Sequence, residues 1–169
     1  MPTCHHGFAP IADQNSRVLI LGTFPGRVSR ENNEYYSNPR NQFWKILAEL
    51  SGEKTVPTNY TKKIQILQSQ EIALWDMIFS CETDGSLDSE IKNERIIDLL
   101  AFLSAFPRIK LILFNGQNAA KYTKKLENIS VPTIILPSTS PANATKSYAE
   151  KLKIWKSALE TTIKLNPVT

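Results

Sequence analysis

Only two cysteines, Cys4 and Cys81, occur in the 169 residues. Two isolated thiols without metal-ligand spacing argue against a disulfide framework, an iron–sulfur cluster or a structural zinc site. Cys4-His5-His6 are adjacent, and neighbouring residues rarely converge on one tetrahedral ion. No metal and no cofactor are therefore expected. No apolar run approaches the roughly 18 residues that span a bilayer, so no membrane partner is expected. The first residues lack the apolar stretch of a secretory signal, and the expected location is cytoplasmic. Internal repeats, low-complexity tracts and linkers are also missing, so residues 1–169 read as one domain. Neither a P-loop ending in Lys-Ser/Thr nor a Gly-x-Gly-x-x-Gly dinucleotide fingerprint is present.

What is there is an ordinary globular composition, 41% hydrophobic and 21% charged, in a chain long enough for a sizeable core. The net charge of +4 and a pI near 9.1 favour a polyanionic partner. The positive charge is unevenly spread. Lysines crowd 121–125 and 146–156, while Arg27, Arg30 and Arg40 flank a loop rich in aromatic and amide groups.

Four apolar runs, 18–21, 72–79, 109–114 and 131–136, are aliphatic or β-branched at nearly every position. That pattern predicts strands covered on both faces. Helical spacing predicts helices over 41–50, 60–70, 93–106, 116–127 and 144–165, the last with Tyr148, Leu152, Trp155, Leu159 and Ile163 on one stripe. Strands alternating with helices imply a mostly parallel sheet with helices on both faces. Ligands then bind at the carboxyl ends of the strands, at the loops after Leu21, around 76–88, after Phe114 and after Leu136.

The first of these loops contains Gly22, Pro25 and Gly26, turn residues that let backbone approach a ligand. The segment 35–44 reads Tyr-Tyr-Ser-Asn-Pro-Arg-Asn-Gln-Phe-Trp. Tyr35 and Tyr36 are adjacent, so one can pack inward while the other presents a face. Stacking of a base on an aromatic ring contributes about 1–3 kcal/mol. Asn41 precedes a helix and could simply cap it. Phe43 and Trp44 read as core. The loop 136–143, Leu-Pro-Ser-Thr-Ser-Pro-Ala-Asn, offers hydroxyls and backbone N–H groups ahead of a long helix, which suits either phosphate binding or plain capping.

In order along the chain stand His6-Gly7-Phe8 with Pro10, Gly22-Thr23-Phe24-Pro25-Gly26, the segment 35–44, Ala73-Leu74-Trp75-Asp76, Cys81-Glu82 through 85–89, Phe114-Asn115-Gly116 and the segment 136–142. Together these resemble the uracil-DNA glycosylase superfamily, most closely its hypoxanthine-DNA (deoxyinosine) glycosylases, and the resemblance covers nearly the whole chain. It implies a three-layer α/β/α fold with a central, mostly parallel four-stranded sheet. Two departures stand out. Mismatch-type relatives carry Gly-x-Asn-Pro-Gly in the first motif, where Asn positions water; here the position is Phe24. Many relatives carry a His before Pro-Ser; here it is Leu136. Hypoxanthine-type members also lack the first polar group, and Asn41 is its natural substitute.

The resemblance thus implies a monofunctional glycosylase, acting as a monomer on double-stranded DNA that carries a deaminated base. Asn41 would orient water and Asn115 would line the pocket or hold Asn41. Gly22, Phe24, Tyr36 and Asp76 would bind the base, with Tyr36 stacking and Asp76 accepting the N1–H of hypoxanthine or N3–H of uracil. Exclusion of water would raise the pKa of Asp76 and favour its protonated form. Ser138 and Ser140 would grip phosphates, Pro141, Ala142 and Asn143 would form the wedge, and Arg40 and Lys146 would add phosphate attraction. No lysine stands where Schiff-base chemistry would need one. Other readings are a uracil-preferring mismatch enzyme, a DNA-binding module that has lost catalysis, and a small-molecule enzyme on a flavodoxin-like sheet.

Overall fold

Every residue of Val18–Gly22 is buried, as expected of a strand at the middle of a covered sheet. The computed structural model describes residues 3–84 and 90–165. In chain order its elements are β1 (Cys4–His6), β2 (Val18–Gly22), α1 (Arg27–Asn32), α2 (Phe43–Leu50), α3 (Tyr60–Ser69), β3 (Ile72–Asp76), β4 (Ile78–Glu82) and β5 (Lys92–Ile96). Then follow α4 (Leu99–Ala105), β6 (Leu111–Asn115), α5 (Gln117–Ala120), a 3₁₀ turn (Lys121–Lys125), β7 (Thr133–Leu136) and α6 (Tyr148–Glu160). The motif residues 85–89 lie outside the described residues.

The main sheet is all-parallel in the order β3-β2-β6-β7. Because successive side chains of a strand point to opposite faces, β2 contributes to two cores. Val18 and Ile20 join Phe43, Trp44, Leu67 and Trp155 on one side. Leu19 and Leu21 join Ala73, Phe102, Ile112 and Ala119 on the other. Helices α2, α3 and α6 thereby cover one face, and α4 and α5 with further elements cover the other. This is the three-layer arrangement around a four-stranded parallel sheet.

Several boundaries differ from expectation. The run 72–79 is two strands, because Met77 N and Ile78 N donate to Gly22 O (2.8 Å) and Thr23 O (3.1 Å), which carries the chain out of the parallel sheet. β4 then pairs antiparallel with β1 and β5 in a second, three-stranded sheet that hydrophobic runs did not reveal. The beginning of the helix expected at 93–106 is β5, and α4 starts only after Asp98, whose carboxylate accepts from Ala101 N at 3.0 Å. Residues 116–127 form one short helix and a 3₁₀ turn. β7 is an edge strand with Ile135 47% exposed, so it is not covered on both faces. The expected helix 144–165 begins at Tyr148, with Ser147 and Glu150 closing a capping box.

Candidate active site

Strand register brings four sequence-distant residues to one edge. Gly22 pairs with Asp76 across β2–β3, and Asn115 pairs with Leu136 across β6–β7. Over this carboxyl edge opens a cleft of about 590 Å³. Gly22–Gly26, Tyr36, Asn41, Asp76, Asn115 and the loop Ser138–Asn143 all line it.

Asp76 is 4% exposed, yet it lines the cleft. A Cβ on Gly22 would fall inside van der Waals contact of Asp76 Oδ1 and 2.7 Å from Tyr36 Oη. The missing side chain of Gly22 is what lets these two oxygens converge over the sheet edge. The neighbouring Tyr35 points the other way. It is buried, its Oη donates to Ala9 O at 2.9 Å, and Trp44 Nε1 donates to its carbonyl at 2.7 Å. Burial first, and then the charge of Asp76, push the Tyr35 phenol above its ordinary range, so it stays protonated.

Both tyrosines border the cleft, but it is Tyr36 whose hydroxyl lies beside Asp76 over Gly22. The Tyr36 φ of 51° is left-handed, a conformation uncommon for a bulky side chain. That backbone reversal turns two adjacent tyrosines to different surroundings. The Tyr36 ring stacks on Phe43 with centroids 4.1 Å apart, and its hydroxyl accepts from Asn115 Nδ2 at 3.1 Å. Phe43 is fully buried, which makes Tyr36 a backed platform.

Asn41 sits on the cleft wall just before α2. Its Oδ1 accepts from Phe43 N at 2.9 Å. The N-cap itself is Gln42, which makes no side-chain cap, so Asn41 serves the helix start from one residue further out. Asn115 is 8% exposed. Besides Tyr36 it engages Thr139, donating to Oγ1 at 2.9 Å and accepting from the backbone N at 3.0 Å. The partners of this amide are thus Tyr36 and Thr139 rather than Asn41.

Phe24 lines the cleft, with the Arg30 guanidinium 5.8 Å from its ring centroid and Arg30 Nη1 donating to Pro25 O at 2.7 Å. Leu136, at the position where many relatives carry His, is 2% exposed and belongs to the core.

The loop 137–143 is braced at both ends by α6. Trp155 Nε1 donates to Pro137 O at 3.0 Å, and the buried Lys151 donates to Asn143 O at 2.8 Å. Burial lowers the Lys151 pKa. Between these ends Pro141 and Ala142 are exposed on the rim. The hydroxyls of Ser138 and Ser140 accept from Ser140 N (3.1 Å) and Ala142 N (3.2 Å). α6 begins after this loop, at Tyr148, and its N-cap Ser147 accepts from Glu150 N at 3.2 Å.

Arg40 is exposed and is not among the lining residues of the cleft. Lys146 lines an adjoining cavity of about 520 Å³ together with Asn143 and Thr145. Sequence reasoning noted Arg27 only as a charge flanking the motif loop and gave Thr139 no role of its own, yet both line the cleft. Arg27 could have been found from its place directly after the Gly22–Gly26 turn. Thr139 carried no signal beyond standing between two serines.

A family model described as "Uracil DNA glycosylase superfamily" matches residues 9–159. The chain belongs to this superfamily. A hypoxanthine DNA glycosylase of Methanosarcina barkeri is 35% identical over 154 residues, covering 91% of this chain and 97% of the relative. A hypoxanthine DNA glycosylase of Methanosarcina acetivorans is 37% identical over 137 residues, covering 81% and 87%. A solution NMR structure from Methanosarcina acetivorans, titled as a candidate uracil DNA glycosylase, superposes with a TM-score of 0.81 at 33% identity, over 94% of this chain and 98% of that one. Among the described residues, no helix of this superfamily member is long and apolar enough to cross a membrane.

Proposed function

We propose that this protein is a monofunctional DNA glycosylase that acts as a monomer on duplex DNA and releases hypoxanthine in preference to uracil. The reaction class follows from the family: it is a hydrolase of N-glycosyl bonds. The hypoxanthine preference is supported by the names of the two relatives. The observation that carries the reading of the site is the convergence of Asp76 and Tyr36 over Gly22, beside Asn41, in one cleft.

In this reading the damaged nucleotide leaves the stack, at a cost of a few kcal/mol that is smallest for a mispaired base. The base lies against Tyr36, which Phe43 backs from behind. Asp76 accepts the N1–H of hypoxanthine. Adenine presents an acceptor at N1 and is refused, because two facing acceptors repel and form no hydrogen bond. Uracil presents N3–H beside a carbonyl and remains a weaker substrate.

Cleavage breaks the C1′–N bond, with the electron pair passing to the base. Backbone amides of Gly22–Gly26 stabilise that charge. Water adds to C1′ and its proton ends on the departing base or in solvent. Asn41, with its amide plane fixed by the bond to Phe43 N, orients this water. Phe24 serves as wall. Pro141, Ala142 and Asn143 enter the gap in the duplex, Ser138 and Ser140 hold phosphates, and Arg40 and Lys146 supply attraction at longer range.

The test is free-base release from duplexes containing a single hypoxanthine, uracil, xanthine or thymine. Hypoxanthine is expected to be released fastest. Faster release of uracil would replace the preference, and release from none of the four would overturn the reading.

A further inference from the structure

Thr139 is completely buried, although it stands in a loop between two partly exposed serines. All of its polar backbone and side-chain groups are spent on the site. Its carbonyl accepts from Gln42 N at 3.0 Å, next to Asn41 at the start of α2. Its N–H donates to Asn115 Oδ1 at 3.0 Å, and its Oγ1 accepts from Asn115 Nδ2 at 2.9 Å. The same Asn115 Nδ2 donates to Tyr36 Oη at 3.1 Å. A loop whose exposed tip is Pro141-Ala142 is thereby tied, through one residue, to the segment that holds Asn41 and to the hydroxyl of Tyr36. An amide held on both edges cannot rotate, so the direction of its N–H toward Tyr36 is set by Thr139.

We propose that Thr139 is a positioning residue that couples the loop entering the duplex to the base platform at Tyr36, acting through Asn115. The inference rests on the role given to Tyr36 under the proposed function. The β-branched threonine suits the task, since its χ1 is restricted and its hydroxyl is held where solvent does not compete. Replacement by valine keeps shape and both backbone bonds while removing one of the two acceptors of Asn115 Nδ2 and leaving Tyr36 Oη as the other. A buried N–H is then left unpaired.

The experiment compares wild type, Thr139→Val, Thr139→Ser, Tyr36→Phe and the double variant Thr139→Val/Tyr36→Phe in single-turnover excision, with binding to product-like abasic duplex measured alongside. Thr139→Val is expected to slow excision about tenfold or more, the scale set by one lost buried hydrogen bond, with binding changed less than about threefold. Thr139→Ser is expected to recover most of the rate. In the Tyr36→Phe background the valine should cost about twofold or less, since the hydroxyl it serves is already gone. Full additivity of the two losses would overturn the coupling, as would a wild-type rate in Thr139→Val. If Thr139→Val does not fold, Thr139→Ser and Thr139→Cys decide: a serine no better than cysteine excludes the hydroxyl as the operative group. Failure of the functional reading is separable, because then the wild type itself releases no base.

Discussion

Gly22 and Asp76 face each other across the β2–β3 ladder, and the absent side chain of Gly22 is the space into which the Asp76 carboxylate and the Tyr36 hydroxyl lean. A methyl group there cannot coexist with both oxygens where they now stand. Gly22→Ala should therefore leave a folded protein that binds DNA but has a displaced platform. A shift of about 1 Å at a reacting centre costs on the order of 10²-fold, so a loss of that size is expected in single-turnover base release. An unchanged rate would show that the convergence of Asp76 and Tyr36 has no part in the reaction.

Variants of Asn41 and Asp76 test separately the water-orienting and base-reading roles proposed for them. Asn41→Ala should lower excision of every substrate base by about 10²-fold or more, the range for losing a preorganised polar group, with DNA binding largely kept. Asp76→Asn should instead alter the ranking of bases, because an amide offers donors as well as an acceptor at the Watson–Crick edge. Release measured on the four-lesion panel distinguishes the two outcomes. A uniform loss in Asp76→Asn, with the ranking intact, would remove Asp76 from base discrimination.

Binding should weaken as salt rises, since each phosphate neutralised contributes about 0.9 to the log–log slope. Arg40 is exposed and Lys146 lines the adjoining cavity. Arg40→Ala and Lys146→Ala should each flatten the slope by about one unit without changing the base preference. Titrations of lesion duplex at several salt concentrations measure this, and slopes identical to wild type would exclude the two side chains from phosphate contact.

Lys151 links stability to alkaline pH. Burial lowers its pKa below the ordinary 10.5, so the folded state favours the neutral amine. Between the lowered value and 10.5 the unfolded chain binds more protons, and the contribution of this group to stability rises with pH through that window. The buried phenol of Tyr35 and the partly buried phenol of Tyr148 act oppositely, because their raised pKa values make unfolding easier once free tyrosine ionises. Comparison with Lys151→Met cancels the tyrosines. The melting temperature of wild type relative to Lys151→Met should rise from neutral pH toward pH ~10; a pH-independent difference would show that the lysine titrates as it does in the unfolded chain.

The sequence by itself determined the layers. Continuous apolar runs at 18–21, 109–114 and the first part of 72–79 specify strands buried on both faces, and the stripe from Tyr148 to Ile163 specifies a helix that packs on them. These signals are local and periodic, so they survive without knowledge of partners. The same is true of the motif resemblance, which brought Gly22, Tyr36, Asn41, Asp76 and Asn115 forward as site residues. Short elements were less legible. Residues 93–96 read as the start of a helix until β4 offers them an antiparallel neighbour, and Met77 gives no hint that the chain leaves the main sheet there.

Only the tertiary structure decided how the backbone at Tyr36 reverses, that Gly22 stands opposite Asp76, and that Thr139 sits at the junction. Each of these depends on strand register or on a backbone reversal. Asn115 meets Tyr36 across 79 positions of sequence and Thr139 across 24. Hydrophobic patterning can place each segment at the carboxyl edge of the sheet, but it does not say which polar atoms will be within 3 Å of one another. That outcome is fixed by side-chain packing against the completed sheet, after the distant segments have been brought together.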